Sequence, residues 1–295
     1  MNIMILGPGA IGTLWATALK NAGHNVSLWS RSAQPTLSIQ VDDAPVCEFD
    51  NNRLSSLRAA DMVIITVKAW QVSTALSPLL SELDNDCILL FLHNGMGTTD
   101  EMQLQLASFP ILLGTTTHAA LKQEECVKHT GQGETNIGGV NARGKQCHFI
   151  ADVLNHALPN TFWQDDILPA LWQKLAINCV INPLTAIAQC NNGMLSQPEY
   201  QQIKQSLILE ITEVMRSQSL SVSSSTLSEQ IENVIQKTAN NRSSMAVDIQ
   251  KQRPSEIDYI TGYLITQASQ AGIPVPHNQA LYDKIKQLEL SENNS

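Results

Sequence analysis

Nowhere in the 295 residues does an apolar run approach the roughly 20 residues that a membrane-spanning helix needs. Basic residues are in deficit, 18 Lys and Arg against 27 Asp and Glu, for a formal charge of -9. That balance argues against nucleic acid or an anionic membrane as a partner. It leaves room for an anionic small molecule in a local basic pocket. No basic segment precedes the first apolar stretch, and Gly7 to Gly12 interrupt it, so no secretory signal is expected. The six cysteines (Cys47, Cys87, Cys126, Cys147, Cys179 and Cys190) form no CxxC pair and no metal pattern with the seven histidines, so no metal is expected. Free thiols in a reducing cytoplasm are the simplest reading. Cys87 and Cys179 sit in apolar runs, where cysteine behaves as a small hydrophobe. There is no internal repeat.

The length exceeds a typical single domain, and 43% hydrophobic residues suffice for two cores. The chain opens on a short apolar run, Asn2 to Leu6, that ends in Gly7-Pro8-Gly9-Ala10-Ile11-Gly12, and a helical pattern follows at once. In a strand–GxGxxG–helix unit the first glycine permits the tight turn. The second lets a pyrophosphate come close to the backbone, and the third lets helix and strand pack tightly. The positive helix end then faces the phosphates. The six residues Gly7 to Gly12 are therefore expected to bind a dinucleotide.

A second strand, Asn25 to Ser30, leads to Arg31, 19 residues beyond Gly12. NAD-selective folds place a carboxylate near this position. A guanidinium there suits the 2′-phosphate of NADPH instead. Residues 36–57 read as a short inserted hairpin without a chemical motif. Asp61 to Val67 is a continuous apolar run, expected of a strand buried on both faces. Lys68 and Gln71 lie just beyond its carboxyl end, where ligands of open α/β sheets bind. A solvated lysine opening a helix fits Lys68 nearly as well. Cys87 to Leu92 is the next buried strand, followed by His93-Asn94-Gly95-Met96-Gly97, and Asn94 is a candidate for cofactor or substrate contacts. Strands are also expected at 111–117 and near 136–139. The fold class is an α/β Rossmann-type parallel-sheet N-terminal domain, residues 1–163, plus an all-α C-terminal domain, residues 164–291, with a fraying tail at 292–295.

In the second half, Lys174, Asn178 and Asn182 recur every four residues. Each step advances ~6 Å along a helix and drifts only ~40° around it. Their neighbours are apolar, so the helix is buried except for one polar line. Burying Lys and Asn is unfavourable unless they are paired or face a polar cavity. A substrate cavity satisfies that condition. A lysine reaching outward beside capping asparagines is the bland alternative. Pro183 is expected to kink this helix. A later cluster, Asn240-Asn241-Arg242-Ser243-Ser244, precedes Ser255-Glu256-Ile257-Asp258. Helix capping explains the serines equally well, and local reasoning does not choose between Glu256 and Asp258.

These stretches together resemble the ketopantoate reductases (2-dehydropantoate 2-reductases). The resemblance is carried by Gly7-Pro-Gly-Ala-Ile-Gly12, Val67-Lys-Ala-Trp70, His93-Asn-Gly-Met-Gly97, Trp172-Gln-Lys-Leu-Ala-Ile-Asn178-Cys-Val-Ile-Asn182-Pro-Leu-Thr-Ala186, Ser243-Ser-Met245 and Glu256-Ile-Asp-Tyr-Ile260. It implies NADPH-dependent reduction of 2-dehydropantoate to pantoate, a step toward pantothenate and coenzyme A, by a cytoplasmic monomer or homodimer. It further implies that Lys174 is the catalytic lysine and that Glu256 assists it and contacts substrate. Asn178, Asn182, Asn241 and Ser244 fall on substrate positions, Asn94 on both ligands, and Arg31 and Lys68 on the 2′-phosphate end of NADPH. The rival readings are a reductase of another 2-keto acid or imine, and a non-catalytic NADPH-binding regulator.

Overall fold

The computed structural model describes residues 1–123 and 126–292. Contacts divide the chain into two compact units. The first comprises 1–93 and 98–170. The second comprises 94–97 and the residues from 171 onward. Residues 164–170 thus group with the first unit, and Asn94 to Gly97 group with the second.

The strands are β1 (Asn2–Leu6), β2 (Asn25–Trp29), β3 (Thr36–Val41), β4 (Cys47–Asp50), β5 (Met62–Ile65), β6 (Ile88–Phe91), β7 (Ile111–Thr116), β8 (Ala119–Lys122), β9 (Cys126–Gly131), β10 (Thr135–Gly139) and β11 (Thr161–Trp163). Seven of them form one sheet in the order β11-β10-β7-β6-β5-β1-β2. Every pairing is parallel except β7 with β10. β1 explains why its sequence reads as an unbroken apolar run. Ile3 and Ile5 enter one hydrophobic cluster with Trp15 and Leu19, while Met4 and Leu6 enter another with Val63 and Leu89. Such a strand has no solvent face and no alternation.

The expected hairpin at 36–57 is present as antiparallel β3 and β4. It is part of a second sheet of order β4-β3-β9-β8 that sequence reading did not foresee. β8 (Ala-Ala-Leu-Lys) has no β-branched residue and is half exposed, so its periodicity was uninformative. β11 escaped detection because three residues are too few to show a period. It is paired to β10 all the same, which keeps 161–163 in the first unit.

Helix α1 (Ala10–Asn21) follows the glycine turn, and α2 (Ile150–Ala157) closes the same face with Ile150 and Leu154. From residue 165 onward the described residues contain no strand. The second unit is built from α3 (Leu168–Ala188), α4 (Gln201–Ser217), α5 (Ser224–Lys237), α6 (Ser244–Gln250), α7 (Thr261–Ala271) and α8 (Pro276–Glu292). One apolar cluster, including Ala176, Cys179, Val180, Ile211, Ile231 and Leu264, fills its centre. α3 runs on through Pro183 to Ala188. Gly272 ends α7 in the left-handed conformation with φ of 69°, as a helix-ending glycine does. Ser223 caps α5 by accepting from the Thr226 amide at 3.0 Å. The expected frayed end, 292–295, lies outside the described residues apart from Glu292. No described helix is long and apolar enough to cross a membrane. All six cysteines are free, and burial pushes the Cys87 and Cys179 thiols up to about 12, so both are inert packing groups.

Candidate functional site

In the first unit the candidates gather at the carboxyl ends of β1, β2 and β5. The turn after β1 is over-determined. Gly7 has φ of 87°, and a Cβ there would lie 2.3 Å from the Val67 side chain. A Cβ on Gly12 would lie 2.4 Å from Thr66 Oγ1 and 2.6 Å from the Gly7 carbonyl oxygen. That carbonyl accepts from both the Gly9 amide and Thr66 Oγ1 at 2.7 Å. Gly9 differs. A Cβ there would meet only the Gly7 oxygen, at 4.0 Å. The protein's own atoms therefore do not require glycine at position 9, whereas a ligand brought against the backbone does. The first N–H groups of α1 have no intrahelical partner by geometry, and its first turn holds no acidic residue. This donor set fits a pyrophosphate.

Two glycine variants separate these roles. Gly12→Ala is expected to lower stability by about 1–3 kcal/mol through overpacking. Gly9→Ala is expected to leave thermal unfolding unchanged and to weaken dinucleotide binding by about tenfold or more, because a methyl group occupies the approach path. Melting curves together with a cofactor titration check both, and wild-type affinity in Gly9→Ala would remove the close-approach argument.

Arg31 is exposed, two residues beyond β2. Lys68 precedes a short helical turn, Ala69–Gln71, just past β5, and Gln71 ends it; both are partly exposed. Pro8, Ala10 and Ile11 complete the glycine turn.

The second unit holds the remaining candidates. Along α3, Leu175, Ala176, Cys179 and Val180 are buried, whereas Lys174 and Asn178 are only partly covered. The first two residues of the polar line are thus not committed to the core, whereas Asn182 at its inner end is 6% exposed. Desolvation pulls the Lys174 ammonium down to about 8, against the Glu256 carboxylate, which favours the charged form. The two acidic candidates of the later cluster have separate fates. Glu256 is 3% exposed and accepts from Asn94 Nδ2 at 3.2 Å. Asp258 is exposed and is engaged by Tyr282 Oη at 2.7 Å and Lys286 Nζ at 3.0 Å. Glu256 is therefore the carboxylate that acts on Lys174.

Asn94 reaches Glu256 because its loop is anchored to the helical unit. The Met96 amide donates to the Tyr259 carbonyl at 2.8 Å. Gly95, with φ of 81°, lies so near that a Cβ would be 2.6 Å from the same oxygen. Ser243 caps α6, accepting from the Ala246 amide at 3.0 Å, and takes a bond of 2.7 Å from Thr185 on α3. The capping reading of Ser243 thus stands. Its bond to α3 also fixes the position of Ser244, which is exposed. Asn241 is exposed as well, and its carbonyl accepts from the Asn192 amide at 2.9 Å. Asn192 was not foreseen. It is buried, donates to Thr238 at 2.9 Å, and leaves Oδ1 without a partner among the described residues. The Asn191-Asn192-Gly193 run just after a buried helix was the only available hint.

The structure thus brings Asn94, Lys174, Asn178, Asn182, Asn241, Ser244 and Glu256 into one unit and the glycine turn, Arg31, Lys68 and Gln71 into the other. A lysine of lowered pKa beside a buried carboxylate, on a helix with a line of amides, can donate a proton to a developing oxyanion and bind polar groups around it.

The family model described as ketopantoate reductase PanE/ApbA matches residues 3–142, and the model of its C-terminal part matches residues 166–289. The 2-dehydropantoate 2-reductase of Vibrio cholerae serotype O1 is 51% identical over 292 residues, covering 99% of each chain. The 2-dehydropantoate 2-reductase of Escherichia coli O157:H7 is 40% identical over 293 residues, covering 98% of this chain and 95% of that one. The crystal structure of a PanE/ApbA family ketopantoate reductase from Ralstonia eutropha JMP134 superposes with a TM-score of 0.89 at 25% identity, covering 99% of this chain and all of that one.

Proposed function

The chain belongs to the ketopantoate reductase family, and from that premise we propose that it reduces 2-dehydropantoate to pantoate with NADPH. The observation that carries the activity is the 51% identity to a 2-dehydropantoate 2-reductase across the whole chain. The choice of NADPH rests on Arg31, which stands where an NAD-selective fold keeps a carboxylate.

The dinucleotide is held by the turn from Gly7 to Gly12, with Arg31 and Lys68 on the 2′-phosphate and Gln71 alongside. When bound, the reduced nicotinamide supplies the hydride that the C2 carbon of the ketone accepts. The chain's own residues handle the charge and the proton. Lys174, as an ammonium, stabilises the negative charge growing on the ketone oxygen and donates its proton there. Glu256 favours the charged lysine before the reaction and contacts substrate. Asn94 holds Glu256 and stands at both ligands. The amides of Asn178, Asn182 and Asn241 and the hydroxyl of Ser244 bind the substrate's carboxylate and hydroxyl without adding a competing acid. After turnover the neutral Lys174 regains a proton from water.

The test is oxidation of NADPH by the purified protein with 2-dehydropantoate, beside a panel of other 2-keto acids and imines. The highest kcat/KM is expected for 2-dehydropantoate. A better member of the panel would transfer the assignment to that substrate. NADPH binding without turnover of any member would make the protein a regulator.

A further inference from the structure

We infer that Asn51 and Asn52 form a clamp that sets cofactor selectivity by pre-positioning Arg31, an inference that rests on the reading of Arg31 as the 2′-phosphate contact. The two asparagines follow β4, in a segment without any recognisable chemical motif. Asn51 is 1% exposed, and the hydrogen-bonding groups of its side chain are committed to one loop. Its Nδ2 donates to the carbonyls of Ser32 at 3.1 Å and Gln34 at 2.7 Å, and its Oδ1 accepts from Ser30 Oγ at 3.0 Å. Asn52 adds a second grip. Its Oδ1 accepts from the Ser30 amide at 2.9 Å, and its Nδ2 donates to the Ser32 carbonyl at 2.7 Å. Ser30 Oγ also accepts from the Ser32 amide at 3.1 Å, across the residue between them.

That residue is Arg31. The backbone is pinned immediately before and after it, while the Arg31 side chain is exposed. An anchored backbone with an uncommitted guanidinium is pre-organised for an anion, because only the side chain must be ordered on binding. Five side-chain bonds from two adjacent residues converge on residues 30–34, a loop that buries no large apolar group. The clamp acts on the 2′-phosphate alone, so NADH, which lacks that phosphate, is indifferent to it. Asn51 and Asn52 are positioning residues, not ligands.

The variant of choice is Asn52→Gly. Asn52 has φ of 55°, which glycine adopts without strain, so the substitution removes the grip and keeps the turn. KM for NADPH is expected to rise roughly fivefold to tenfold, the scale of one lost ordering contribution, with KM for NADH and kcat unchanged. Asn51→Ala is expected to move the same ratio further, with its melting curve recorded because it removes a buried side chain and its three hydrogen bonds to the loop. In an Arg31→Ala background, Asn52→Gly is expected to change neither KM. An unchanged NADPH-to-NADH ratio in Asn52→Gly, while Arg31→Ala alone alters it, overturns the clamp. A ratio that stays unchanged in Arg31→Ala itself overturns the underlying reading of Arg31. A parallel rise in both KM values assigns the asparagines to general stability and also overturns the clamp.

Discussion

Replacing Lys174 with methionine is expected to lower kcat for 2-dehydropantoate reduction by roughly 10⁴-fold, while NADPH binding survives. The size combines loss of a general acid with loss of charge stabilisation at the oxyanion. Methionine keeps most of the lysine stem, so the change removes the ammonium without opening a large cavity. Kinetics within tenfold of wild type would reject Lys174 as the proton donor. The pH profile is a second readout. Burial holds Lys174 near 8, and the reaction needs the protonated form, so kcat/KM should fall as pH rises through about 8. Glu256→Gln removes the charge that favours the ammonium, and the alkaline limb should move to lower pH. A limb that stays in place, or moves up, would contradict the assigned pairing. Stability follows with the opposite sign. The folded pKa lies below the unfolded value of about 10.4. Between the two, the unfolded chain holds a proton that the native chain has shed, so wild-type stability rises with pH across that window. Below it the native state bears the desolvation of the ammonium. Lys174→Met should therefore melt no lower than wild type at neutral pH, and it would separate loss of activity from loss of fold.

Arg31→Ala is expected to raise KM for NADPH by about 10²-fold, the scale of one or two charge-assisted hydrogen bonds to a phosphate. KM for NADH should change by less than about threefold, because NADH offers no 2′-phosphate for the guanidinium to pair with. The effect should diminish as salt is raised, since Arg31 is exposed and its field is screened there. Steady-state kinetics with both cofactors at two ionic strengths check this. Equal losses for NADPH and NADH would reject the 2′-phosphate role and leave Arg31 as a general phosphate or surface residue. In the proposed reading Lys68 also contacts the 2′-phosphate, so some preference for NADPH should survive in the variant.

Much of the site was legible because its parts are local in sequence. A strand, a glycine turn and a helix are encoded within residues 2–21. The polar line on α3 follows from a spacing of four on an otherwise apolar helix. Both patterns survive into the structure because neither needs a distant partner to be recognised. The strands of the second sheet and β11 were not legible. They are short or half exposed, and pairing with distant strands holds them in place, not propensity.

By itself, then, the sequence determined the α/β-then-α plan, the glycine turn, the guanidinium on which the proposal of NADPH rests and the helix that carries Lys174. Only the tertiary structure chose Glu256 over Asp258, by burying one beside Asn94 and giving the other to Tyr282 and Lys286. Only the tertiary structure attached Asn94 to the helical unit and turned Asn51 and Asn52 into supports for Arg31. The physical reason is the same each time. Desolvation and hydrogen bonding decide what a polar side chain does, and both depend on neighbours supplied from far away, 162 residues away for Asn94 and Glu256.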